Sequence, residues 1–211
     1  MNVDLSAATA FMATHARVLD RRRFEVLMGE GDPAGALAAL DGYRNPDGGY
    51  GWGLEPDLRS PESQPGAALH AFEVFEDSEV FEDGAPATST RAAELCDWLE
   101  SASLPDGGVP FALPRASDAG NAPWWAGADS TVSSLQITSV TAATAHRVAA
   151  HLPGVAAHPW LERATRYCLD TIAALDREPH AYVLAFALRF LDAVYDTHPE
   201  AAGLLDRLGA Y

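Results

Sequence analysis

The residues best suited to chemistry sit in one stretch, Tyr43-Arg-Asn-Pro-Asp-Gly-Gly-Tyr-Gly-Trp-Gly-Leu-Glu-Pro-Asp-Leu-Arg59. Glu55 and Asp57 flank Pro56, which blocks regular structure, so extended backbone sends both carboxylates to one side. Such a pair shares a proton, or divides acid and base roles where the two environments differ. Arg59 then holds Asp57 ionised, or grips an anionic substrate through both guanidinium arms. Trp52 and Gln64 complete the constellation. A structural reading stands beside this one: Arg59 bridges Asp57 in a rigid loop, and one of the two acids caps the next helix. The length and aromatic content of the loop bring the ligand-facing role close to the structural one, which keeps a slight edge.

A second long loop, 103–135, carries Phe111 and Trp124-Trp125 and, like the first, leads into an inward helix. If helical units stack, both loops emerge at one end, and Tyr50, Trp52, Phe111, Trp124 and Trp125 line a mouth around Glu55 and Asp57. Such a floor suits an isoprenoid, a flat ring or a sugar face. The same rings would equally serve as a plug of core. Gln136 and Thr138 open the next helix and either face the cavity or let helices approach closely; His180 and Tyr182 are further cavity candidates.

Several chemistries are excluded or poorly supported. The chain contains no lysine, which removes Schiff-base chemistry and a phosphate-loop lysine. No metal site is expected: His146 and His151 are off a common helix face, and His-Glu-x-x-His and Cys-x-x-Cys are absent. There is no Gly-x-Ser-x-Gly, and Gly48, Gly49, Gly51 and Gly53 follow no strand, so neither a nucleophile elbow nor a dinucleotide cradle is expected, and no cofactor. A net charge of −16 argues against nucleic acid or an anionic membrane surface as partner. No apolar run is long enough to span a bilayer. Asp4 without a basic lead argues against a secretion signal, and Cys96 and Cys168 read as reduced, buried thiols, so the expected location is cytoplasmic.

The elements that must position these residues are helical. Apolar spacing predicts about eight helices and no strand, in a single domain over 1–211. They run near 6–20, 33–43, 65–76, 91–101, 138–152, 159–175, 179–195 and 199–208. Phe11, Ala16, Val18 and Leu19 are buried candidates in the first, and Thr88-Ser-Thr90 is the expected cap of the fourth. Residues 181–188 are apolar on consecutive positions, which predicts a helix surrounded by protein. Amphipathic helices alternate with helices of small or wholly apolar residues, the pattern of outer and inner layers in a ring or solenoid. Pro-Asp-Gly-Gly occurs at 45-flanking Pro46–Gly49 and again at Pro105–Gly108, each after a helix, where glycine supplies the stop. The third equivalent position reads Leu175-Asp-Arg-Glu-Pro179 and lacks the turn.

These turns resemble those of the terpenoid cyclase and protein prenyltransferase α/α-toroid superfamily. The run Tyr43–Pro65, with Ala122-Pro-Trp-Trp125 and His158-Pro-Trp-Leu161, is similar to short bacterial proteins sharing a PDGGYGWGLEPDLR-type loop. The resemblance implies an all-α, α/α-toroid-like partial ring around a central cavity. It does not transfer an activity. The cyclase Asp-x-Asp-Asp donor is met only by Glu55-Pro-Asp57, and the prenyltransferase zinc pair only by Cys96-Asp97 and Cys168-Leu-Asp170, in the wrong order. The expectation is a small-molecule site. Glu55 and Asp57 are its acid–base candidates, and Tyr50, Trp52, Arg59, Gln64, Trp124, Trp125 and Gln136 its binding candidates. The alternatives are a non-catalytic protein-interaction module or a carbohydrate-active α/α-barrel protein.

Overall fold

Helix starts follow local chemistry. Asp4 caps α1 (Leu5–His15), and Asp32 caps α3 (Pro33–Leu40) with proline at the first helical position. Ser134 caps α6 (Leu135–Ala149), and the His158 ring accepts from the Trp160 amide at the start of α8 (Pro159–Ala173). The other helices are α2 (Val18–Leu27), α4 (Pro65–Glu79), α5 (Pro86–Ala102), α7 (Pro153–Ala156), α9 (Ala181–Ala193) and α10 (Glu200–Leu208). Short 3-10 turns occupy Asp41–Tyr43 and Pro123–Trp125. This computed structural model describes residues 4–79 and 86–209. The fold is all-α, and among the described residues there is no strand, only two isolated bridges.

The first predicted helix is in fact two. Ala16 and Arg17 are extended, with ψ of 153° and 156°. The break lets the Arg17 guanidinium reach Asp20 and the carbonyls of Gly53 and Leu54. Leu19 is buried as expected, but Phe11 and Val18 are exposed and α1 buries nothing. Thr88-Ser-Thr90 does not precede a helix, because α5 already begins at Pro86; the side chains of residues 86–89 lie outside the described ones.

Helices α4, α6 and α9 pack side by side with α6 in the middle, and α3, α5, α8 and α10 lie behind them. Every residue of α6 from Ile137 to Ala145 is buried, and beyond Ile137 all of these are Thr, Ser, Ala or Val. Small side chains are what a helix flanked on several sides requires at close-packed density. Helix α9 departs from expectation. It buries only Ala187, Phe190 and Leu191, while Tyr182 is 61% exposed. Among the described residues its main helix contacts are with α6 and α10.

The repeated turn is a repeated structure. Asp47 accepts the Gly49 amide and the Ser63 hydroxyl, and Asp106 accepts the Gly108 amide and the Ser133 hydroxyl. Gln64 and Ser134 then donate their amides to the carbonyls of Tyr50 and Val109, so both loops return to their turn before the inner helix starts. Gly48 and Gly107 have φ of +87° and +92°. A Cβ on them would lie 2.9 Å from the Glu94 carbonyl oxygen and 2.8 Å from that of Arg163, each on the next outer helix. Positive φ and close approach both demand glycine here. Gly107→Ala is therefore expected to lose at least about 2 kcal/mol in denaturant unfolding. Gly127→Ala, with nothing within 4 Å of its added carbon, should stay within about 0.5 kcal/mol of wild type.

Candidate functional site

The two long loops are stitched to one another. Gln64, buried at the end of the first, takes the Leu113 amide on its side-chain oxygen at 2.9 Å. The Ala116 amide donates to Glu62, and the Arg59 amide to the Asn121 side chain. The Ala122 amide donates to the Asp57 carbonyl at 2.8 Å. Last, the Trp125 indole N–H donates to Asp57 Oδ1 at 2.9 Å. These bonds bring Trp124 and Trp125 beside the carboxylates of a loop almost seventy residues earlier in the chain.

Under the stitched loops lies a cavity of about 630 Å³. Helix α4 contributes Gly66, Leu69, His70 and Glu73, spaced as one face of a helix. Gln136, Ile137 and Val140 come from α6, and Tyr182, Phe186 and Arg189 from α9, with His180 just before it. The loops add Glu55, Asp57, Phe111, Trp124 and Trp125. Residues 66 to 73 span two turns, so the cavity runs roughly 10 Å along the inner helices from their N-terminal ends. Phe111 stacks on Trp125 with centroids 4.5 Å apart, and Tyr182 stacks on Phe186 at 6.1 Å. An apolar hollow with a few converging charges is the usual form of a small-molecule site.

The charges form an ordered chain. His70 donates from Nε2 to Glu55 at 3.1 Å and from Nδ1 to Glu73 at 2.9 Å. Burial opposes the imidazolium, but its hydrogen bonds to both carboxylates and their charges outweigh it, and His70 rises to about 9. Glu55 and Glu73 are correspondingly held below the usual carboxylate range, against the opposing effect of burial. Arg23 stands 3.6 Å from Glu73. Asp57 goes the other way: burial raises it, the Trp125 indole opposes, and the charge of Glu55 raises it further. Two neighbouring acids are thus pushed apart in acidity, the arrangement that separates a proton donor from a permanent anion.

Of the residues read from sequence, Glu55, Asp57, Phe111, Trp124, Trp125, Gln136, His180 and Tyr182 line this cavity together. Tyr50, Trp52, Arg59 and Gln64 do not. Tyr50 is wholly buried against Phe75 in the core. Trp52 is 60% exposed, in a left-handed conformation with φ of 56°, its indole bonded to Asn45. Arg59 donates to the Pro56 carbonyl rather than to Asp57. Gln64 is spent on Leu113. Thr138 exchanges hydrogen bonds with Val109 and holds the second turn. His70 and Glu73 were not singled out by sequence reading, although their spacing from Gly66 marks a helix face. No metal-binding group of His, Cys, Asp and Glu occurs among the described residues, and no helix is long and apolar enough to cross a membrane.

Comparison with known proteins returned no match, whether to a family model, a curated protein or a solved structure.

The His70 clasp has a definite pH signature. Its folded value lies above the unfolded one, so its stabilisation is complete below about 6.5 and is lost as pH rises through about 9. The gap is worth on the order of 3 kcal/mol. His70→Gln should remove this alkaline limb: unfolding free energy measured from pH 6.5 to 9.5 falls in wild type and stays nearly level in the variant. An unchanged limb would assign it to another group.

Proposed function

We propose that the cavity binds a small, largely apolar or ring-bearing molecule and that Asp57, backed by Glu55, does acid–base work on it. The observation that carries this reading is the Glu55–Asp57 pair, split in acidity, at the rim of an aromatic-walled hollow. Asp57 retains its proton to higher pH than an ordinary aspartate, which suits a general acid. Glu55, anchored by His70, stays an anion and stabilises positive charge developing in a substrate. Phe111, Trp125, Phe186 and Ile137 supply the apolar contact. The same reading takes the chain as an α/α-toroid-like partial ring, with α4, α6 and α9 as its inner helices.

Glycoside hydrolysis fits less well. Glu55 and Asp57 are close enough to hydrogen-bond through their side chains, whereas the opposed carboxylates of glycosidases stand about 5 Å or more apart. A docking site for a partner protein is the second reading, favoured by Trp124 and Tyr182, each 61% exposed.

Screening ring-bearing compounds by tryptophan fluorescence and thermal shift separates the two. A ligand at 100 times its Kd stabilises by roughly 2.7 kcal/mol. Trp124→Ala should weaken binding about fivefold or more while changing stability by less than about 0.5 kcal/mol, because its ring is largely in solvent. Full affinity in that variant, or no stabilising compound at all, would remove the small-molecule reading.

A further inference from the structure

The charges around the cavity balance at every carboxylate but one. Glu73 faces His70, Arg23 and, at longer range, Arg189. Glu55 faces His70. Asp57 has a neutral partner, the Trp125 indole on Oδ1, and among the described residues no cationic side chain pairs with it. Arg59, two residues on, points its Nε at the Pro56 carbonyl. Within the chain, the repulsion between Asp57 and Glu55 is eased only by a proton held on Asp57 and shared with Glu55, which a bound cation would displace.

We propose that the ligand of this cavity carries an organic ammonium group, seated on Asp57 with Glu55 behind it, its apolar body lying among the Trp124, Trp125 and Tyr182 rings. The proposal rests on the small-molecule reading above and adds the sign of the ligand's charge. Three features favour a cation over a neutral hydrogen-bond donor. A positive charge is attracted by both acids at once, where a hydroxyl satisfies one lone pair. The exposed rings of Trp124 and Tyr182 carry negative quadrupoles on their faces that attract an ammonium group. A protein of net charge −16 also concentrates organic cations near its surface. An anionic headgroup such as a diphosphate meets the reverse. Among the described residues, the lining offers it one guanidinium, Arg189, against three acids, Glu55, Asp57 and Glu73.

Four probes with one body test this: 2-phenylethylamine, its N,N,N-trimethyl analogue, 2-phenylethanol and 3-phenylpropionate, titrated at pH 7 and low salt by ligand-observed NMR. Both ammonium compounds are expected to bind about tenfold or more tighter than the alcohol, and the carboxylate not at all. In Asp57→Asn, which keeps an oxygen for the Trp125 indole, that preference should fall below about twofold; in Arg59→Gln it should persist. Should Asp57→Asn fail to fold, Trp124→Ala provides the second check, weakening the ammonium probes more than the alcohol. Equal binding of amine and alcohol, or an undiminished preference in Asp57→Asn, overturns the ammonium proposal and leaves the small-molecule reading standing. Binding of none of the four overturns the proposal. A ligand found among other ring-bearing compounds would then still support the small-molecule reading.

Discussion

Everything at the site depends on two turns in which glycine backbone lies against the carbonyl of the following outer helix. In each, an aspartate holds its own turn amide and a serine hydroxyl from the far end of the loop. The loops 47–63 and 106–133 are thereby closed at their bases, and only their middles are free to project. Because Gly48 sits on the Glu94 carbonyl and Gly107 on that of Arg163, both bases are fixed to the outer layer in the same way. The projecting middles then meet as neighbours. Gln64, Asn121 and Asp57 spend their hydrogen-bonding groups joining them. Buried polar groups must be paired, so these residues cannot relax away without leaving amides unsatisfied.

Above that frame, the electrostatics distinguish one acid from its neighbours. A histidine between two glutamates is a stable arrangement at neutral pH, since each ring N–H has an anionic acceptor. It lowers both glutamates and makes Glu55 a fixed charge. Asp57 inherits the cost of standing next to that charge. The effect is local and follows from placement: His70 on α4 bonds Glu55, while Asp57 bonds the Trp125 indole.

Much of this was legible in the chain, for reasons that also mark where legibility stops. The helices are all-α as expected, and Asp-Gly-Gly after a helix identified both turns because positive φ is a local requirement. Glu55, Asp57, Phe111, Trp124 and Trp125 were accessible because their loops lead into inner helices, and Gln136, His180 and Tyr182 because they stand at the starts of those helices. Tyr50 and Trp52 show the limit. They are two residues apart in one glycine-rich run, yet one is buried in the core and the other points to solvent. Their difference is decided by the left-handed conformation of Trp52 and the Asn45 bond, neither of which has a pattern in the sequence. His70 and Glu73 were missed because α4 has two inward faces. Ala67, Ala68, Ala71, Val74 and Phe75 mark the core face clearly, and a charged face opposite reads as solvated unless another element is known to cover it.

The third inner helix explains the shape of the site. Its preceding segment lacks the glycine pair, so no clasped loop projects over it, and α9 enters from the His180 cap alone. Among the described residues, the apolar run 181–188 that predicts enclosure is covered mainly by α6 and α10. Its open flank presents Tyr182 and Phe186 to the cavity, with Arg189 one turn further. Exposed apolar surface on a helix is costly by about 25 cal/mol per Å², and it persists in folded proteins chiefly where something is meant to lie on it. The wall facing Asp57 is therefore the least covered element of the inner row. A ligand bound between them would bury the apolar ring surface of α9 while meeting the acid that has no cationic side chain beside it among the described residues, so the same contact would satisfy both of the groups that the fold leaves incomplete.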